Sequence, residues 1–437
     1  MHRGTLLLLM ILGWACAGPV MAIEQAAISA GAAALEEKLI EWRRDIHANP
    51  ELSNREFRTS ALVAEHLRGL GLEVRTGIAH TGVAAWLEGG RPGPMVALRA
   101  DMDALPVTEQ TGLPFASTVV TEYEGRQTGV MHACGHDAHT AILMAAAELL
   151  TSMRDDLPGS VLFIFQPAEE GAPEGEEGGA ELMLKEGLFE WKRPDAVFGL
   201  HVLSNFHAGR IGYRAGPAMA AADRFEITVK GVQTHGSMPW LGVDPIVPSA
   251  QIVLGLQTVA SRQVDVSGVP SVISVGQIQG GIRNNIIPDD VYLQGTIRTF
   301  DEAIREDIHA RVRQTATSLA AASGAAAEVH VHRGYPVTVN NPGLVADSLP
   351  SLRRAAGEDR VFEVPRLMPA EDFSYYANEV PGFFFYLGAT PEGMDPAKVP
   401  TNHSPHFDVD ESTLRVGLEA MTTVAIDFLQ RGAEEMR

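Results

Sequence analysis

Ten residues, Met131 to Thr140, read M-H-A-C-G-H-D-A-H-T and gather one thiol and three imidazoles immediately before the apolar run Ala141 to Leu150. Thiolate sulfur and imidazole nitrogen in so short a span form a ligand set for a borderline divalent ion; zinc fits, and manganese, cobalt or nickel would compete. Cys134 and His136 are the central pair. On an extended turn, residues i and i+2 face the same side, so both would reach one ion or a close pair. The competing reading is a helix N-terminus whose polar residues cap backbone N–H groups while Cys134 packs as a small hydrophobe.

Other segments carry groups of the same kind. Arg99-Ala100-Asp101-Met102-Asp103 sets two carboxylates at the end of an apolar stretch, Gln166-Pro167-Ala168-Glu169-Glu170 does likewise, His201 follows Ala196 to Leu200, and Asn402-His403-Ser404-Pro405-His406 lies near the C-terminus. Cys134, His136, Glu170, His201 and His403 are the candidate metal ligands. Five exceed what one tetrahedral zinc requires, which favours two ions, or one firmly held and one looser. His201 alone could equally be a buried imidazole bonded to a backbone carbonyl, and His406 competes with His403. Glu169 and Glu170 are adjacent and are expected to point apart, one binding metal and the other free as the general base for water attack on an amide. A solvated acidic loop is the alternative, because Glu174, Glu176 and Glu177 follow. Asp103 would orient a ligand imidazole or serve as an N-cap. His235 could polarise a substrate carbonyl or sit bonded to solvent in a turn. Asn285, beside Arg283, offers donors, and Arg298 could hold a substrate carboxylate or a structural acid in a two-pronged pair.

These groups must be positioned by an α/β frame. Helical spacing of apolar residues runs from Ala26 to Leu70, broken at Asn49-Pro50. Glu73-Val74, Val83 to Leu87, Met95 to Ala100, Val161 to Phe165 and Ala196 to Leu200 read as strands, with helices at about His139 to Ser152 and Ala180 to Glu186. The alternation predicts parallel order, with the active site in the crevice beyond the strands' carboxyl ends. From Ala222 the rhythm changes. Strands at Arg224 to Lys230, Ser271 to Gln279, Val291 to Thr299 and Ala327 to Arg333, with helices at Pro245 to Arg262 and Asp301 to Ala322, give the order β-α-β-β-α-β of a ferredoxin-like unit. The domains expected are therefore residues 23–221 with 334–437, and an inserted 222–333. The chain returns through a helix at Gly343 to Ala356, the segment Pro369 to Phe373, a strand at Phe383 to Gly388 and a last helix at Glu411 to Phe428.

At 437 residues the chain exceeds the size at which one core keeps growing. Its net charge of -21 makes nucleic acid and anionic membranes poor partners. Met1-His2-Arg3, the apolar run Thr5 to Ala17 and Val20-Met21-Ala22 read as an export signal cleaved after Ala22, placing the protein in the periplasm or outside the cell. That run is too short to span a bilayer. Lipidation at Cys16 is the alternative, and an uncleaved anchor the third reading. If the signal leaves, Cys134 is the single remaining cysteine, and coordination gives a lone thiol a reason to persist in an oxidising compartment.

The ordered set R-A-D-M-D-A-L-P, M-H-A-C-G-H-D-A-H-T, F-Q-P-A-E-E-G, G-L-H-V, H-G-S-M-P, N-N-I-I-P-D, A-E-D-F and N-H-S-P-H-F-D resembles the metallo-amidohydrolases of the aminoacylase and glutamate-carboxypeptidase superfamily. Within it, the branch most similar is that of hippurate hydrolase, N-acyl-amino-acid amidohydrolase and the plant auxin-conjugate hydrolases. The resemblance implies a three-layer, zinc-peptidase-like catalytic domain with an inserted ferredoxin-like lid that also dimerises. It implies two divalent ions, manganese or zinc with cobalt or nickel open, on Cys134, His136, Glu170, His201 and His403, and Glu169 as general base. His235 and Asn285 match positions that close over substrate across a dimer interface; Arg298 is a softer match. The implied substrate is an N-acyl amino acid, with short peptides as the alternative and a non-catalytic binding protein as the third reading. Where typical superfamily members carry a histidine two residues before the orienting aspartate, this chain has Asp101, and the Cys134/His136 pair replaces the neighbourhood of the bridging aspartate.

Overall fold

The computed structural model describes residues 23–436, so the export signal and Cys16 lie outside the described residues. The N-terminal helix Gln25–Ala48 buries Ile28, Ala32, Leu39 and Ile46 along one stripe and ends before Asn49-Pro50. A residue preceding proline disfavours helical backbone, which accounts for the stop. With helices His136–Ser152 and Ser412–Glu435 it covers one face of an eight-stranded sheet, and the short helices Gly179–Lys185 and Phe373–Glu379 cover the other. Among the described residues, no helix is long and apolar enough to cross a membrane.

Four neighbouring strands at the centre of the sheet run parallel: Pro158–Gln166, Arg91–Asp101, Ala196–His207 and Gly382–Thr390. Every residue of the first and last is buried, as a strand covered on both faces requires. The sheet as a whole is mixed. Glu73–Ile78 and Gly82–Glu88 form an antiparallel pair at one edge, and Ile211–Tyr213 lies antiparallel to Gly382–Thr390 towards the other. The loop between the first two strands is too short for a parallel crossover, which needs about a dozen residues, so a hairpin is the available connection.

Two strands carry the site. The Arg91–Asp101 strand pairs with Ala196–His207 only as far as Arg99 opposite Gly199. The latter strand then continues, so His201 stands within it, past the last residue paired with that neighbour, and not beyond a strand end as its spacing suggested. That step in the sheet opens the crevice.

A second sheet has the order Ser271–Gly280, Asp290–Thr299, Ala221–Lys230, Ala326–Arg333, with all neighbours antiparallel. Helices Ile246–Thr258 and Glu302–Ala322 pack on it around Phe225, Ile227, Leu256, Leu293 and Val312, a core separate from that of the large sheet. The first of these helices ends in a π-helical turn, Val259–Gln263.

Candidate metal centre

The helix following the His/Cys segment begins at His136, earlier than its apolar spacing suggests. Gly135 makes the turn in the left-handed region at φ 89, where a Cβ would collide with Val202, so glycine is required there. Cys134 and His136 therefore do not share an extended turn; one precedes a left-handed bend and the other opens a helix. The bend still aims both at the same point, and the Cys134 sulfur, a His136 nitrogen and a His201 nitrogen lie within 4.8 Å of one another.

A second group with the same mutual reach, Cys134, Glu170 and His403, shares the thiol with the first. His403 is held at φ 70 by its N–H bond to the Ala133 carbonyl, and its Nε2 reaches Glu170 Oε1 at 3.1 Å. His406 is exposed and spends its Nδ1 on the Gln110 carbonyl, which separates it from the cluster.

The bonds around each imidazole fix which nitrogen is available. Asp103 takes His136 Nδ1 at 3.2 Å and is itself held by Ser53 and by the Glu170 N–H. His136 Nε2, fully buried, has no hydrogen-bond partner and lies 3.9 Å from carboxylate oxygens of both Glu169 and Glu170. The two glutamates therefore converge on one imidazole and do not point apart; Ala168 before them adopts φ 53, which turns the backbone so that both reach inward. They are not a solvated loop, since Glu169 is 6% exposed. The alternative reading of His201 is half right. It does bond a backbone carbonyl, that of Val202 at 2.8 Å, through Nδ1, and this leaves Nε2 facing the Cys134 sulfur at 3.4 Å.

Behind the ligands lies a buried ionic layer. Arg99 binds Asp101 at 2.6 Å, Asp372 at 2.8 Å and Glu371 at 2.9 Å, and its Nε reaches Gln166 at 2.9 Å. Glu169, Glu371 and Asp372 approach within 4.8 Å of one another. Burial, with Glu371, Glu170 and Asp372 nearby, pushes the Glu169 carboxyl well above its ordinary range. Burial likewise drives Glu371 up to about 8 despite Arg99. Against burial, which would lower it, Asp101, Asp103 and Glu170 push His136 up to about 10. Burial and the carboxylates of Glu170 and Glu169 raise the Cys134 thiol. The donor set thus carries carboxylates in excess of cations and a bare, buried imidazole nitrogen. Divalent ions fit both conditions.

A cleft of about 420 Å³ exposes the cluster, lined by Cys134, Glu169, His201, Arg298, Tyr335 and His403. Glu170 lines it too, and also borders a larger cavity of about 700 Å³ walled by Leu52, Leu105, Val119, Tyr123 and Val130. His235 and Asn285 do not line the cleft. They sit together on a two-stranded ribbon, Thr234–His235 against Ile286–Ile287, with the Gly236 N–H bonded to the Asn285 carbonyl. His235 is exposed, and its Nδ1 accepts from the Ser237 N–H at 3.1 Å. Sequence reasoning gave no role to Arg99, Glu371, Asp372, Tyr335 or His139. A charged residue inside the apolar run M-V-A-L-R-A was the available signal for Arg99, since a buried guanidinium demands buried acids.

Three comparisons bear on this arrangement. The model of peptidase family M20/M25/M40 matches residues 97–427. Thermostable carboxypeptidase 2 of Saccharolobus solfataricus is 42% identical over 396 residues, 90% of this chain and 96% of that one. N-acetyl-L-cysteine deacetylase of Bacillus subtilis is 38% identical over 383 residues, 87% of this chain and 85% of that one. Among solved structures, the YXEP protein of Bacillus subtilis, described as a dinuclear metal-binding peptidase, aligns with a TM-score of 0.75 at 35% identity, covering 91% of this chain and 99% of that one.

Proposed function

The chain belongs to peptidase family M20/M25/M40, and from that premise we propose that it hydrolyses the amide bond of N-acyl amino acids with two divalent ions. The observation that carries this reading is the buried His136 Nε2, without a partner and equidistant at 3.9 Å from the carboxylates of Glu169 and Glu170. Cys134, His136, His201, Glu170 and His403 would hold the ions. When bound, such ions supply Lewis acidity to the acyl carbonyl and lower the pKa of an attacking water.

The chain's own residues supply the rest. Glu169 accepts the proton of the attacking water at its carboxylate and delivers it to the leaving amine nitrogen. Asp103 fixes the His136 ring so that Nε2 faces inward. Tyr335 donates to the Glu169 carbonyl at 2.7 Å, which anchors the base's backbone. Arg298, on the cleft wall, would hold the α-carboxylate, and the 700 Å³ cavity beyond Glu170 would take the acyl group. His235 and Asn285, exposed on their ribbon, would complete the site of a second copy in a homodimer. The N-terminal segment would direct export.

Removing divalent ions with a chelator should abolish hydrolysis of hippurate and N-acetyl amino acids. Adding back manganese, zinc, cobalt or nickel should restore it, with titration giving two ions per chain. Activity indifferent to chelation would overturn the proposal. A second reading, trimming of short peptides, is favoured by the 42% identity to a carboxypeptidase. Rates on matched dipeptides and acyl-amino acids decide between the two.

A further inference from the structure

The three histidines of the ten-residue segment have unequal fates. His139 lies with Asp101 and His136 in a group compact enough to hold an ion. Yet both its nitrogens are spent. Nδ1 bonds Asp101 Oδ1 at 2.6 Å, and Nε2 accepts the Val202 N–H at 2.8 Å. Because Nε2 must be bare to accept, the ring is neutral with its proton on Nδ1. It has nothing left for a metal.

What His139 holds is the N–H of the residue whose carbonyl orients a ligand. The Arg91–Asp101 strand stops pairing at Gly199, so the far half of the Ala196–His207 strand has an open edge on that side. A buried N–H at such an edge needs an acceptor. For Val202 the acceptor is His139 Nε2. The carbonyl of the same residue accepts His201 Nδ1–H at 2.8 Å and Asn402 Nδ2–H at 3.0 Å. With Nδ1 bound as a donor, His201 is confined to the tautomer whose Nε2 faces Cys134. The line runs from Arg99 to Asp101, to His139, to the backbone at Val202, and ends on the two segments that present His201 and His403. The His139 and His201 rings also touch edge to face, with centroids 4.7 Å apart.

We infer that His139 is a positioning residue for the ion pair, acting through Val202 to set the backbone at His201, and not itself a ligand. This rests on the reading that the cluster binds divalent ions. The acceptor bond to Val202, and not the bond to Asp101, is the one that matters.

Two isosteres separate those bonds. Glutamine places an amide oxygen near the position of Nε2 and can still accept from Val202, whereas asparagine places an amide nitrogen near Nδ1 and keeps only Asp101. The apo forms of wild type, H139A, H139Q and H139N are titrated with Co²⁺, reading affinity calorimetrically and the thiolate-to-cobalt absorption band of Cys134. Circular dichroism on each confirms the fold. The expected result is two ions in all four proteins, with one bound roughly 10- to 100-fold more weakly and the band altered in H139A and H139N, and both near wild type in H139Q. Equal affinities and spectra in all four, equal losses in all three variants, or rescue by asparagine in place of glutamine would overturn it. A wild type that binds no ion would instead sink the metal-dependent reading, so the two failures are distinct.

Discussion

His136 and Asp137 are neighbours at the start of one helix, both completely buried, and their side chains enter different networks. On the Asp137 side the charges are answered by charges. Its Oδ2 binds Arg43 at 3.0 Å and His47 at 2.9 Å; Arg43 continues to Asp408 at 2.9 Å and Glu411 at 3.2 Å, and His47 to Glu109 at 3.2 Å. The network ties the N-terminal helix to the segment before the C-terminal one. On the His136 side, Arg99 meets Asp101, Glu371 and Asp372 while Asp103, Glu169 and Glu170 add further carboxylates, and a buried ring nitrogen is left bare. Burying an excess of like charge costs free energy that a purely structural element has no reason to incur. On one side the acids are matched by the chain's own cations, although Asp137 Oδ1 and both His132 nitrogens lack partners there, and on the other the acids outnumber the cations.

The largest effect that would test this contrast is on catalysis. Glu169→Gln should cut kcat on an N-acyl amino acid by about 10²- to 10⁴-fold, the range for a lost general base. Ion stoichiometry should be unchanged, because Glu169 is not among the proposed ligands. Turnover retained in this variant would remove Glu169 from its role. Next in size, Arg43→Ala should destabilise the fold by about 3–5 kcal/mol in urea, because it strands the buried Asp137 charge. It should leave the affinity of the surviving folded protein for divalent ions within a few-fold of wild type. A large loss of affinity with little loss of stability would show that the two sides are not separable.

Much of this was legible in the residues themselves. The Cys134/His136 pair, Glu169-Glu170 and Asp103 could be read as candidates because soft donors and paired acids adjoin apolar runs, with a capped helix start and a solvated acidic loop as the competing readings. His403 could not be told from His406 by type or spacing; what separates them is a backbone bond from His403 to Ala133, a contact 270 residues distant in sequence. The antiparallel edge of the large sheet and the hairpin Val120–Tyr123 with Arg126–Gly129 escaped for another reason. The first was read as part of a parallel alternation, and the second is short, polar and exposed, so it carries no apolar period to find. His139 was hidden because its role lies in a backbone N–H freed by the early end of a neighbouring strand, and strand lengths are among the least certain features of a sequence reading.

The smallest expected effect sharpens the contrast by pH. His47 is faced by Asp137 and Glu109, by Arg43 on its own helix and by His132, which burial holds neutral with a pKa down at about 4. Burial would lower His47, but Asp137 and Glu109 override it and carry it up to about 9. A histidine whose folded pKa lies above its unfolded value of about 6.5 stabilises fully below that value, and the contribution fades as pH rises through the folded pKa. Stability from this network should therefore fall between about pH 6.5 and pH 9, by on the order of 3 kcal/mol at most. Ion binding on the other side should run the opposite way, since Cys134 and His136 must lose protons to coordinate and the affinity rises with pH. Urea midpoints of wild type and His47→Gln across this range, with and without saturating zinc, read the two slopes separately. The gap between wild type and variant should close as pH rises while the zinc-dependent gain widens. Parallel slopes would mean that the two sides of the helix start titrate as one network.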